Sequence, residues 1–178
     1  LSCDFEHGLP PGWQPSGGQW AVVPEPGHAG NHVLALVDST SGQITAGDPR
    51  WTDIMLSARM RVETEAPVYH CKAVVRRQSA SQSACCNLRN DSPIAVRQDG
   101  TRFLQLGSCG TIGLKPGEWM RVEVRAVGHL LCVRLWREAD PQHADYARFV
   151  LGGPDHGGIG FAVWTNSQEP VRLLVDDV

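Results

Sequence analysis

Four arginines, Arg76, Arg89, Arg121 and Arg134, together with Trp136, are the residues of this chain best suited to hold a ligand. A guanidinium presents a planar fork that grips a carboxylate or sulfate through two parallel hydrogen bonds. An indole offers a flat apolar face to a ring. The combination points to a polar, ring-containing ligand that carries negative charge. His70 and Glu123 are the candidates for proton transfer. Cleavage of a glycosidic bond by two carboxylates needs them about 5–9.5 Å apart, and Glu123 is the one carboxylate that alternates onto the same face as the arginines. His70 could instead act as a base, with Arg76 and Arg89 neutralising a uronate carboxylate as a lyase requires. The alternative is an ordinary solvated sheet in which the arginines pair with Glu63, Glu123 and Asp99, each pair worth ~0–1 kcal/mol. There is no GxSxG, phosphate loop or zinc spacing.

These side chains are placed by alternation. In Glu118–Glu138, Met120, Val122 and Val124 alternate with Arg121, Glu123 and Arg125, and Leu131, Val133 and Leu135 alternate with Cys132, Arg134 and Trp136. Period two means a strand with one buried and one wet face, and the break at Ala126–His129 predicts a hairpin. Pairing Ala126 with His129 sets Val124 opposite Leu131 and Val122 opposite Val133. A second hairpin is predicted from Val68–Arg77 and Ala84–Asn90, with Val75 near Cys86 and Ala73 near Leu88. A third surrounds Gln98-Asp99-Gly100. If the first two hairpins share a sheet, one face collects His70, Lys72, Arg76, Asn87, Arg89, Arg121, Glu123, Arg125, Arg134 and Trp136.

The rest of the chain carries the same signature. Cys3–Trp13 reads as a short strand followed by a Pro-Pro-Gly turn, and further short strands are expected at Trp20–Val23, His32–Val37, Gln43–Ala46, Gly157–Trp164 and Val171–Val178. Asp140–Asp145 reads as a polar loop with room for one helical turn, before a strand at Tyr146–Leu151. About a dozen strands, with turn signals every 8–12 residues, is the pattern of an all-β sandwich or barrel. The 19 glycines and 12 prolines argue against long helices. One domain over residues 1–178 is expected. A net charge of -3 disfavours nucleic acid, and no apolar run approaches the ~18 residues of a membrane span. A monomer is expected. Six cysteines allow up to three bridges and argue for an oxidising compartment, the alternative being that several are buried free thiols.

In order along the chain, the sequence resembles the concanavalin A-like (laminin G-like) jelly-roll domains. The resemblance rests on Asp4-Phe5-Glu6 with Leu9-Pro10-Pro11-Gly12-Trp13, then Val74-Val75-Arg76-Arg77-Gln78 with Leu88-Arg89, then Leu114–Val124 and Gly157–Val178. It lies nearest the bacterial 3-keto-disaccharide hydrolase-type domains and carbohydrate-binding modules of similar fold. Cys85-Cys86 stands where that family has a Tyr-Tyr pair, which removes aromatic surface. The resemblance implies a two-sheet antiparallel β-sandwich with a saccharide site on its concave sheet, in a secreted, periplasmic or cell-surface protein of bacterial type. It implies a saccharide-binding domain or, alternatively, a glycoside hydrolase or polysaccharide lyase using the same face. It also implies a structural Ca2+ near the termini, held by Asp4 or Glu6, the Gly27–Asn31 loop, and Asp176 or Asp177. Glu6 and Asp177 are the preferred side-chain ligands.

Overall fold

The apolar phase of each alternating run turns inward. In a computed structural model describing residues 1–178, the chain forms β1 (Gln14–Ser16), β2 (Gln19–Pro24), β3 (His32–Ser39), β4 (Ser41–Ala46), β5 (Ile54–Glu63), β6 (Tyr69–Ser79) and β7 (Gln82–Arg89). It continues through β8 (Ile94–Asp99), β9 (Arg102–Ser108), β10 (Met120–Val127), β11 (Leu130–Arg137), β12 (Asp140–Val150), β13 (Gly158–Thr165) and β14 (Val171–Asp176). Each sheet has seven antiparallel strands. The first runs β1-β4-β13-β6-β7-β8-β9, the second β12-β11-β10-β5-β14-β3-β2. This is the two-sheet sandwich of the concanavalin A-like jelly rolls. A cluster of 37 buried residues fills the space between the sheets. Its apolar burial is the main favourable term holding the sheets together. No helix is long and apolar enough to cross a membrane.

The hairpins keep their predicted faces but not their predicted pairings. In β10–β11, Val124 faces Val133 and Val122 faces Leu135, two residues away from the expected register. The turn is only Gly128-His129, with Gly128 at φ 52°, the positive φ that primed hairpin turns require. A two-residue slip returns each side chain to the same face, so Val122, Val124, Leu131 and Val133 are all buried. In β6–β7, Ala73 faces Cys86 and Val75 faces Ala84, and the register then shifts between Val75 and Ser79. That bulge absorbs Arg76, whose φ is 50°. The segment expected as a polar loop at Asp140–Asp145 is part of the 11-residue edge strand β12, and it contains no helical turn.

Two further expectations are corrected. None of the six cysteines is bridged. Cys85 and Cys86 point to opposite sides of β7, as neighbours on a strand must, and Cys86 Sγ lies 4.0 Å from Cys109 Sγ. The stretch Cys3–Trp13 forms no ladder strand. Its start is instead tied to the other chain end: Cys3 N donates to Val178 O at 2.7 Å, and Val178 N donates back to Cys3 O at 2.9 Å. Trp13 closes the stretch, stacked on Phe161 with ring centroids 6.1 Å apart.

Candidate functional site

The two hairpins expected to share one face lie in opposite sheets, because β6 pairs with β13 and β7 while β10 pairs with β5 and β11. Alternation tells which side of a strand is wet; it does not tell to which sheet the strand belongs. The ten-residue face therefore divides. His70, Lys72, Asn87 and Arg89 belong to the outer face of the first sheet. Arg121, Glu123, Arg134 and Trp136 belong to the outer face of the second, across the full thickness of the sandwich. His70 and Glu123 consequently cannot act on one substrate bond.

The arginines are engaged to different degrees. Arg76 is buried at the bulge, where Nε donates to Thr52 O at 2.9 Å and Nη1 to Gly128 O at 2.7 Å and Pro154 O at 3.3 Å. It clips three loops together and presents no fork to solvent. Arg89 forms a bidentate pair with Asp91, its Nε 2.9 Å from Oδ1. Arg121 bridges Asp177 at 2.6 Å and Glu138 at 3.2 Å. Arg134 lies 3.9 Å from Glu123 and stacks over Trp136, 4.6 Å from the ring centroid.

The outer face of the first sheet is hollowed. Trp164 on β13, His70 and Lys72 on β6, Asn87 on β7, Ile94 and Val96 on β8, and Phe103 and Gln105 on β9 enclose a depression of about 610 Å3. A second depression of about 280 Å3 adjoins it, sharing Lys72, Val96 and Phe103. The outward-pointing residues Val74, Cys85 and Val96 pack together as its apolar floor. Trp164 and Phe103 rise from this floor, 48% and 59% exposed. The signal for Trp164 was available in GFAVW, since Phe161 and Val163 take the buried phase and leave the indole on the wet one. Phe103 carried no such signal, because its neighbour Leu104 is exposed as well.

The polar groups of the groove are ordered. Asn87 is 5% exposed, and its Nδ2 donates to His70 Nδ1 at 2.9 Å, while Asn87 Oδ1 has no partner. With Nδ1 accepting, the proton of the neutral ring resides on Nε2. Burial lowers the pKa of His70, and the charges of Lys72 and Arg89 lower it further. His70 packs against Trp164 with centroids 5.1 Å apart, and Lys72 Nζ lies 5.0 Å from the Phe103 centroid. No carboxylate lines either depression. The groove thus offers a buried acceptor, an imidazole N–H, an amide and an ammonium between two aromatic faces.

Of the expected calcium ligands, Asn31 of the early loop and Asp176 of the last strand meet, 3.1 Å apart, whereas the preferred pair, Glu6 and Asp177, is engaged elsewhere. Glu6 accepts from the His32 backbone N at 2.9 Å and faces His32 Nδ1 at 3.0 Å, which lowers its pKa through the backbone hydrogen bond first. Asp177 is held by Arg121. No three His, Cys, Asp or Glu side chains are placed so that they could hold a metal ion together. Glu6 and Asp177 therefore do not fit a Ca2+ site.

No family model matches the chain, and no curated protein does. Solved structures do. A carbohydrate-binding module, CBM66 from Bacillus subtilis, superposes with a TM-score of 0.68 at 12% identity, covering 94% of this chain and 93% of that one. The exoplasmic/lumenal domain of VIP36 in its Ca2+/Man3GlcNAc-bound form gives 0.63 at 12% identity, covering 100% and 91%. Peanut lectin gives 0.56 at 10% identity, covering 94% and 92%. At these identities the likeness is one of fold.

Proposed function

We propose that this domain binds a saccharide in the groove on the outer face of the first sheet, and that the saccharide carries an acidic group. The observation that carries the reading is the unpartnered, buried Asn87 Oδ1 between the exposed rings of Trp164 and Phe103. A buried acceptor without a donor is costly, and a sugar hydroxyl is a donor that an aromatic-walled groove can orient. Pockets of mostly apolar lining with a few convergent polar groups are the usual form of small-molecule sites. The acidic class is supported by Lys72, the one charged side chain lining the larger depression once His70 is neutral, and by the lack of a carboxylate there. That CBM66 is a carbohydrate-binding module and that VIP36 was solved with Man3GlcNAc agree with the reading. Binding is favoured over catalysis because the lone pair of His70 is already engaged by Asn87. The nitrogen left free carries the proton and cannot abstract one. An exported or cell-surface setting goes with such a ligand, although free thiols no longer argue for it.

Calorimetry with neutral and uronate-containing oligosaccharides tests this. Trp164→Ala should weaken both classes about tenfold, as loss of an aromatic contact worth ~0.5–1.5 kcal/mol beyond its area implies. Lys72→Met should weaken the uronate ligand about 10- to 100-fold, a charged hydrogen bond being worth ~1.5–3 kcal/mol, and should leave neutral sugars unchanged. Arg134→Ala and Trp136→Ala should leave binding intact. Loss of binding in those two variants alone would move the ligand to the opposite face, and absence of any saccharide binding would end the proposal.

A further inference from the structure

At one end of the second sheet an arginine sits where two buried carboxylates converge. Glu25, which opens the β2–β3 loop, is 4% exposed, and Asp176, which ends β14, is 2% exposed. Arg59 on β5 is the register partner of Asp176. Its Nη2 donates to Glu25 Oε2 and to Asp176 Oδ2, both at 2.6 Å, and its Nε approaches Asp176 Oδ2 at 3.1 Å. The amide of Asn31 donates to the same two oxygens, at 2.6 Å and 3.1 Å. Trp119 covers the guanidinium, its ring centroid 4.3 Å from Cζ. Burial opposes the charge of Arg59, but the hydrogen bonds it donates to Asp176 and Glu25 outweigh it and raise the pKa.

The same geometry would suit a metal ion. A point 2.6 Å from two carboxylate oxygens lies at the upper end of the ~2.3–2.6 Å range of Ca2+–oxygen bonds. The second oxygens, Glu25 Oε1 and Asp176 Oδ1, are buried and have no hydrogen-bond partner. Glu25 Oε1 has only His28 Nδ1 nearby, at 3.3 Å. The flanking groups keep the balance acidic: Glu138 and Asp177 approach Arg59 at 3.7 Å and 3.9 Å, and Arg121 pairs with both of those carboxylates. Four carboxylates thus face two guanidiniums. We infer that Arg59 Nη2 holds, as part of the chain, the position of a divalent cation between Glu25, Asn31 and Asp176, and that removing this guanidinium opens a Ca2+ site there. The native fold then needs no metal to join its early loop to its last strand. This departs from the calcium dependence that the sequence resemblance implied, and the departure resides in one residue.

The experiment compares wild type with Arg59→Ala and Arg59→Gln, in Ca2+ and in chelator. Thermal melting and terbium luminescence excited through the neighbouring Trp119 are the two readouts. Wild type should melt at one temperature in both buffers and give no sensitised terbium emission. Arg59→Ala should melt lower in chelator, regain stability as Ca2+ is added, and show terbium emission that Ca2+ displaces, because a ligand that binds only the native state raises its stability by mass action. Arg59→Gln keeps most of the packing against Trp119 and carries the same expectation should the alanine variant fail to fold. A wild-type melting temperature that climbs with Ca2+ would overturn the inference, whatever the variants do. So would a folded Arg59→Gln protein that takes up no terbium.

Discussion

Asn87 donates one amide hydrogen to the neighbouring strand: its Nδ2 stands 2.9 Å from His70 Nδ1, and its Oδ1 is left without a donor. The pair fixes the tautomer of the imidazole and leaves a buried, unpaired acceptor beside the groove. Its consequences are measurable through pH.

Burial, Lys72 and Arg89 hold the pKa of His70 below its ordinary value, against the raising influence of Asn87 and Asp91. The folded state therefore binds this proton less readily than the unfolded chain, whose histidine titrates near ~6.5. The contribution to stability is fully present above that value and is lost as pH falls through the lowered folded pKa. The difference in melting temperature between wild type and His70→Gln should thus shrink as pH drops below ~6.5. Ligand affinity should fall in the same window, since a protonated Nδ1 no longer accepts from Asn87. A pH profile of wild type that is parallel to that of His70→Gln would refute this.

Arg76 should behave as a structural clip. Three backbone carbonyls, of Thr52, Gly128 and Pro154, accept from its guanidinium. Arg76→Ala removes that donor from carbonyls of which Thr52 and Gly128 lie on exposed residues that water can reach, so the cost should be about 1.5–3 kcal/mol, the worth of one charged hydrogen bond, rather than the sum of three. The expected result of a urea titration is a lowered midpoint, with saccharide affinity of the folded fraction retained. Arg76→Lys should recover little, because an ammonium cannot reproduce the fork.

The cysteines divide by burial. Burial pushes the Cys71 thiol up to about 12 and the Cys85 thiol up to about 11, whereas Cys132 is the half-exposed one. Since the thiolate is the reactive form, iodoacetamide should label Cys132 first in the native protein and all six only after unfolding. Cys86 and Cys109 should bridge only when refolding takes place with glutathione disulfide as oxidant, because both are sealed in the core. That bridge would stabilise by ~3 kcal/mol for the loop it closes. Peptide mapping of the refolded and the native protein distinguishes the two cases.

Much of the fold could be read from the chain because its strands are half-buried. Val122, Val124, Leu131 and Val133 announce their inner face without reference to any other segment. Two kinds of information were missing. Register near a turn depends on whether Gly128 adopts a positive φ, and a two-residue slip leaves the hydrophobic pattern unchanged. Sheet membership depends on partners far away in sequence, such as β13 for β6 and β5 for β10. That is why the arginines were gathered on one face and why the groove was not foreseen: Trp164, Lys72, Asn87 and Phe103 come from four strands that meet only in the first sheet. Arg76 escaped for a local reason, since a bulge breaks the alternation on which its placement relied.

The reciprocal hydrogen bonds between Cys3 and Val178 make the two chain ends neighbours in space. The molecule is therefore close to a closed loop, and its architecture is indifferent to where that loop is cut. A circular permutant that joins the ends through a short glycine-serine linker and opens at the exposed Gly100-Thr101 turn should keep every ladder of both sheets. Its folding rate, however, should change, because β9 and β8 would become the most distant segments of the new chain while β14 and β3 would become near ones.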